Sequence, residues 1–278
     1  MTGPGVTAAV ATGAVDLAPP EGRIRVERRG ALQLIGIDRA AKRNGFSERM
    51  VIELGEAYDL LERDPGVRVG VLHAVGDHFT AGLQLDQLAS WFEAGRHLAP
   101  AGLVDPFDLQ PPLRTKPVVV AVQGICFTVG IELMLAADVV VAASDARFGQ
   151  IEVRRGIMAN HGATIRMVER AGWGNAMRLL LTGDEFDADT ALRLGLVQEV
   201  VAPGRQLDRA VEIAERIAAQ APLAVAATLV NARRGVTQGP EAAAAEFGAI
   251  NQRLLRTEDA REGVASFVER RAARFTGR

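Results

Sequence analysis

The chain has 278 residues, enough for one large domain or for one domain with an appendage. Apolar residues make up 48% and charged residues 24%, and the net charge of −2 excludes the basic footprint of a nucleic-acid binder. The single cysteine, Cys126, excludes an intrachain disulfide and any CxxC motif, which fits a cytoplasmic setting, and no apolar run is long enough to suggest a membrane span.

Residues 1–20 are small, punctuated by Pro and Gly, and free of basic residues. They lack the positive start and solid apolar core of a secretory signal, and a disordered extension is expected. Residues 23–37 alternate and break at Arg29-Gly30, which predicts a β-hairpin. A helix follows, with Met50, Val51, Leu54, Ala57, Leu60 and Leu61 on one face and a stop at Asp64-Pro65-Gly66. Next come a strand over 67–76, a glycine-bearing turn and a helix from about Leu83 to His97. Segment 99–116 carries four prolines and reads as a long loop. Strands over 117–124 and 138–144 are nearly all apolar, as strands covered on both faces should be, and a short buried helix starts between them at Gly130. Beyond Glu152 the pattern is mainly helical, with one strand near Leu196–Val201. The expected organisation is an α/β core over 21–205 and a helical region over 206–278.

Several chemistries lack their motifs. There is no Walker loop, GxSxG elbow or HExxH. "GWGNAM" has Met177 where the third glycine of a dinucleotide loop belongs, and no strand precedes it. His73 and His78 are a poor metal pair, so no metal is expected.

What remains is two glycine-marked turns and two glutamates. In "HFTAGLQL" (78–85) and "GICFTVGIEL" (124–133) a strand ends, glycine turns the backbone and a helix begins. Unpaired N–H groups at such helix starts can hold a developing oxyanion. Glu132 and Glu152 lie in a stretch that otherwise reads as protein interior, where a carboxylate must find a partner or shift its pKa. Blander readings exist: Glu132 as a helix-dipole residue, and Glu152 as a turn residue paired with Arg154 or Arg155.

Taken together, these stretches resemble the crotonase superfamily, the enoyl-CoA hydratase/isomerase family, from about Ile24 to Phe275. "IDRAAKRNGF", "FTAGLQL", "AVQGICFTVGIELMLAADVVVAASDARFGQIEV", "LTGDEFDADTALRLGLV" and "TEDAREGVASFVERRAARF" resemble its signatures in the family's order. The resemblance implies a spiral of ββα units followed by a C-terminal helical region that assembles homotrimers or homohexamers. It implies a coenzyme A thioester substrate, with no separate cofactor. It places the oxyanion N–H groups on Leu83 and Val129, and the two acid–base carboxyls of the hydratase branch on Glu132 and Glu152. On this reading Glu132 activates water and Glu152 protonates carbon. An isomerase would need only the carboxyl matching Glu152, and a non-catalytic acyl-CoA binder would need neither.

The early turn, with Arg39, Ala40 and Lys42, and the segment Ala81, Gly82 and Leu83 are the expected contacts to coenzyme A. Phe267 and Phe275 either meet the nucleotide or pack between helices. The chain departs from the family's pattern at Leu83-Gln84, where Ala-Asp is usual. Thr128 and Val129 replace glycines, and a β-branched valine resists positive φ. Asn160 and His161 stand where small residues are usual, and His161 either faces solvent or lines the substrate pocket.

Overall fold

The structure, a computed structural model, describes residues 18–278. The expected extension over 1–20 lies outside the described residues as far as residue 17. Pro20 is already tied down, because its carbonyl accepts from Arg39 Nε at 2.9 Å.

Strands β1 (Arg23–Arg29) and β2 (Leu32–Asp38) form the expected antiparallel hairpin, with Arg29 opposite Leu32. The two-residue turn between them needs positive φ, and Gly30 supplies it at 62°. Helix α1 (Glu48–Arg63) starts at Ser47, whose Oγ accepts the Met50 N–H at 3.3 Å. Its buried stripe is Met50, Val51, Leu54, Ala57, Tyr58 and Leu61. Leu60, expected on that face, is 49% exposed. The 3.6-residue repeat running through 54, 58 and 61 carries Tyr58 inward and turns Leu60 to solvent.

After β3 (Val69–Ala74) the next helix, α2 (Leu85–Glu93), is shorter than expected at both ends. Then follow β4 (Val118–Val122), β5 (Ile125–Phe127), α3 (Val129–Ala136), β6 (Val139–Ala143) and β7 (Arg147–Gly149). Helices α4 (Ala163–Ala171) and α5 (Trp173–Thr182), strand β8 (Glu185–Asp187), helix α6 (Ala188–Arg193) and strand β9 (Glu199–Val201) come next. The chain ends in α7 (Gln206–Ala218), α8 (Pro222–Gln238), α9 (Pro240–Ala244), α10 (Phe247–Leu254) and α11 (Glu258–Glu269).

The main sheet runs β1-β2-β3-β4-β6-β9 and is parallel after the first hairpin. Its strands alternate between two apolar layers. Ile35, Leu72, Val120 and Val140 face the larger core with α1 and α3. Leu34, Val71, Val119 and Val141 face Ala210 and Ala214 of α7. Helix α7, expected with the C-terminal region, therefore closes the second face of the sheet. A small second sheet, β5-β7-β8, was not expected, because three-residue strands are too short to show alternation. No single helix among the described residues is long and apolar enough to cross a membrane.

The proline-rich segment 99–116 has no helix or strand, yet it is tied down. The Asp105 carboxylate accepts N–H bonds from Phe107 at 2.8 Å and from Leu109 and Gln110 at 2.9 Å. Arg166 of α4 donates to the carbonyls of Phe107 and Asp108, and Arg233 of α8 pairs with the Asp108 carboxylate at 2.8 Å.

Candidate active site

Helix α3 is apolar all round and every residue in it is buried, the mark of a core helix. Glu132, its one charged residue, is 2% exposed. Its side chain leaves its own helix and finds the chain ahead of α4. Oε1 accepts the backbone N–H of His161 at 2.6 Å and of Ala163 at 3.3 Å. Oε2 lies 3.7 Å from His161 Nδ1. Burial pushes the Glu132 pKa up to about 7; the two N–H bonds oppose the rise and the charge of Glu152 adds to it. Glu132 does stand in the first turn of α3, as the blander helix-dipole reading requires, but its carboxylate bonds to the chain ahead of α4.

Glu152 opens a 3-10 turn over Glu152–Arg155 and is 9% exposed. Gln150 Nε2 donates to its Oε1 at 2.8 Å, while Oε2 is buried without a partner among the described residues. Burial raises its pKa above the ordinary carboxylate value. Among the described residues neither neighbouring arginine pairs with it: Arg154 reaches Asp184 at 3.1 Å, and Arg155 donates to the Arg154 carbonyl.

The two glycine turns lie side by side. Thr80 bridges Cys126, with the Thr80 N–H on the Ile125 carbonyl and the Phe127 N–H on the Thr80 carbonyl, both at 3.0 Å. Phe46 fixes the first turn further, donating to the Gly82 carbonyl and accepting from the Gln84 N–H, each at 2.9 Å. The Leu83 N–H between them has no acceptor among the described residues, and neither does that of Val129 at the start of α3. Val129 is helical, so its stiffness distorts nothing. The positive φ falls one residue earlier, at Thr128 (50°). That backbone is held by the Thr128 N–H on the Gly149 carbonyl at 2.9 Å and by Ile131 and Glu132 donating to the Thr128 carbonyl. A Cβ at Gly82, where φ is 110°, would collide with Thr128 Oγ1. The two turns therefore touch where the sequence allows no larger residue.

The expected coenzyme A contacts separate into two sets. Ala40, Lys42 and Ala81 are exposed, and the Ala81 N–H donates to the carbonyl of Arg43, next to Lys42, at 2.9 Å. Arg39 is 6% exposed, and its guanidinium is engaged with the carbonyls of Pro20 and Gly45 and with Gln84 Oε1. Its guanidinium is held inside the fold by neutral oxygens, a correction to its expected role as a contact to coenzyme A. Asn160 is exposed, whereas His161 is buried with its ring 4.7 Å from that of Phe107. Burial drives the His161 pKa down to about 4, so its imidazole is neutral near pH 7. Its tie to Glu132 is made by the backbone, so His161→Ala should lower kcat by less than about tenfold and add no new limb to the pH profile, as steady-state kinetics would check. Phe267 is 85% exposed on α11, while Phe275 packs near Gly263 of the same helix. Sequence reasoning missed Gln150 and Phe107. Gln150 could have been suspected as a polar residue two positions before Glu152; Phe107 had no periodic pattern around it.

The family model described as enoyl-CoA hydratase/isomerase matches residues 27–278. The chain belongs to that family. Among curated relatives in the crotonase family, enoyl-CoA hydratase EchA19 of Mycobacterium tuberculosis is 32% identical, over 91% of this chain and 96% of its own. Carnitinyl-CoA dehydratase of Proteus mirabilis is also 32% identical, over 92% and 98%. Among solved structures, a probable enoyl-CoA hydratase/isomerase from Mycobacterium abscessus is 46% identical and superposes with a TM-score of 0.89, covering 92% of this chain and 98% of that one. The crotonase fold accounts for the strand–strand–helix layers described above.

Proposed function

We propose that the protein is an enoyl-CoA hydratase, adding water across the double bond of a 2-enoyl-CoA thioester. The observation that carries this reading is the pair of buried carboxyls, Glu132 and Glu152, both with raised pKa, alongside two unpaired N–H groups. A hydratase needs one proton taken from water and one given to carbon. Glu132 takes the proton as the water oxygen bonds to the β-carbon. Electrons move onto the thioester oxygen, which the N–H groups of Leu83 and Val129 hold as an enolate. Glu152 then returns a proton to the α-carbon. Its partnerless Oε2 suits a protonated, donating carboxyl, and the two N–H bonds to Glu132 suit the ionised form of a base. The only coenzyme in this scheme is the one the substrate carries, its polyphosphate lying near Lys42 and Ala81.

Self-association belongs to the same proposal. On α11, Val264, Phe267 and Val268 are 67%, 85% and 73% exposed at positions that share one helical face. Light scattering on the purified chain should give the mass of three or six copies, and a monomer would remove this part of the reading.

Loss of enoyl absorbance on crotonyl-CoA is the direct test. Movement of the double bond without hydration, surviving Glu132→Gln but not Glu152→Gln, would assign an isomerase instead. Binding of thioesters with no turnover would assign a non-catalytic acyl-CoA binder.

A further inference from the structure

Both N–H groups that Glu132 accepts come from the turn that opens α4, and Gly162 stands between them with φ at 110°. The Gly162 carbonyl accepts the N–H groups of Ile165 at 3.2 Å and Arg166 at 2.9 Å, which starts the helix. Side chains on a helix lean towards its N-terminus, and Arg166 follows Gly162 by four residues on the same face. Its guanidinium accordingly folds back over that glycine, where a Cβ would collide with Arg166 Nη1. From there Nη2 donates to the carbonyls of Phe107 at 2.7 Å and Asp108 at 3.1 Å. Nη1 is buried with no partner among the described residues. The guanidinium thus lies between the turn that holds Glu132 and the segment over 105–110. On the same segment, the Phe107 ring packs against that of His161.

We infer that Arg166 is a positioning residue of the active site: it clamps the His161–Ala163 turn to the segment over 105–110 and so keeps two N–H donors directed at Glu132. The inference rests on the hydratase reading for the use of Glu132 as a base, though not for the clamp. The two donors favour the ionised carboxylate, the form that takes a proton from water. The charge of Arg166 favours it too, opposing the rise that burial and Glu152 impose. The other charges around the guanidinium are Asp105 and Asp108 from the segment, Glu169 and Arg170 from its own helix, and Arg114. Arg233 of α8 reaches the same cluster through Asp108, at 2.8 Å. The titratable groups that face Glu132 are Glu152 and His161, and burial keeps that imidazole neutral near pH 7. Replacing Arg166 by an apolar residue loosens the turn and removes a positive charge. Both changes favour the protonated acid over the base.

The test is an infrared pH titration of Glu132 in the substrate-free protein, its carboxyl band assigned by its loss in Glu132→Gln. Kinetics on crotonyl-CoA run beside it, for the parent, Arg166→Met and Arg166→Lys. In Arg166→Met the Glu132 midpoint should rise from about 7 by about one pH unit, the lower end of what a nearby opposite charge contributes. Less of the base is then ionised at pH 7, so kcat there should fall about five- to tenfold with KM within about twofold. Arg166→Lys keeps the charge but not the planar group that spans Gly162 and both carbonyls, so its rise and its loss should be smaller. It serves as the test if Arg166→Met does not fold. An arginine that only stabilised the fold would lower the denaturation midpoint and leave the Glu132 titration where it was; that result in either folded variant overturns the inference. If the titration rises in the variants but the parent hydrates no thioester, the clamp stands and the reaction was misassigned. If crotonyl-CoA is hydrated and the titration stays, the clamp is wrong and the hydratase reading survives.

Discussion

Glu132→Gln and Glu152→Gln are each expected to lower kcat on crotonyl-CoA by about 10²- to 10⁴-fold, with little change in thioester binding, because each removes one proton-transfer partner and leaves the shape intact. Both losses are needed to establish a two-carboxyl mechanism. The pH dependence of kcat/KM should be a bell. As pH falls both carboxyls take up protons and no base remains; as pH rises both ionise and no donor remains. One limb should lie near 7, the value to which burial lifts Glu132. The limbs belong to the pair, since each carboxyl feels the other's charge. A profile flat from pH 5 to 9 would remove both glutamates from the chemistry.

The second large effect concerns stability and lies away from the site. Arg114 is 2% exposed and forks onto Asp138, with Nη1 on Oδ2 at 2.7 Å and Nη2 on Oδ1 at 3.0 Å. The same guanidinium also caps the Ala136 carbonyl at the end of α3, at 2.7 Å, and reaches the Lys116 carbonyl at 3.0 Å. Asp138 in turn accepts the Val118 N–H that opens β4, at 2.7 Å. One side chain thus ties the proline-rich segment, the helix that carries Glu132 and two central strands. Arg114→Leu should destabilise the protein by about 3 kcal/mol, the lower part of the range for breaking a buried pair, because the Asp138 side chain keeps 23% of its exposure. Denaturant unfolding would measure it. Arg114→Lys should recover only part of the loss, since an ammonium cannot fork onto both carboxylate oxygens. A loss within 0.5 kcal/mol, the scale of a surface substitution, would mean the network contributes little.

What was legible in the sequence followed the strength of each local pattern. The hairpin, α1, the two apolar strands and the buried short helix all carry runs long enough to show their period. So does the spacing of the two glutamates, because an acid amid Leu133, Met134 and Leu135 conflicts with its surroundings and is conspicuous for that reason. Strands β7 and β8 were hidden by their three-residue length. Leu60 was misplaced because apolarity alone does not say which side of a helix a residue occupies when Tyr58 competes for it. Arg39 was misread for a related reason: a cation beside an exposed turn looks available until Pro20, Gly45 and Gln84 are brought round it by the fold. The backbone donors to Glu132 come from residues twenty-nine and thirty-one positions away, and no local pattern carries that distance. Gly82 was read as a turn residue and a coenzyme A contact. Its contact with Thr128 is a property of two turns together and appears in neither motif alone.

The position of α7 makes the chain indivisible at the boundary its composition suggests. A fragment ending at residue 205 would lose Ala210 and Ala214 and bare Leu34, Val71, Val119 and Val141, one whole side of its central sheet, to water. Such a fragment would aggregate rather than fold as a lone catalytic module. The region beyond residue 205 is thus part of the same packed core as the sheet. Its first helix closes the face of the central sheet opposite the layer that holds α3, so the sheet that positions Glu132 depends on the start of the helical tail.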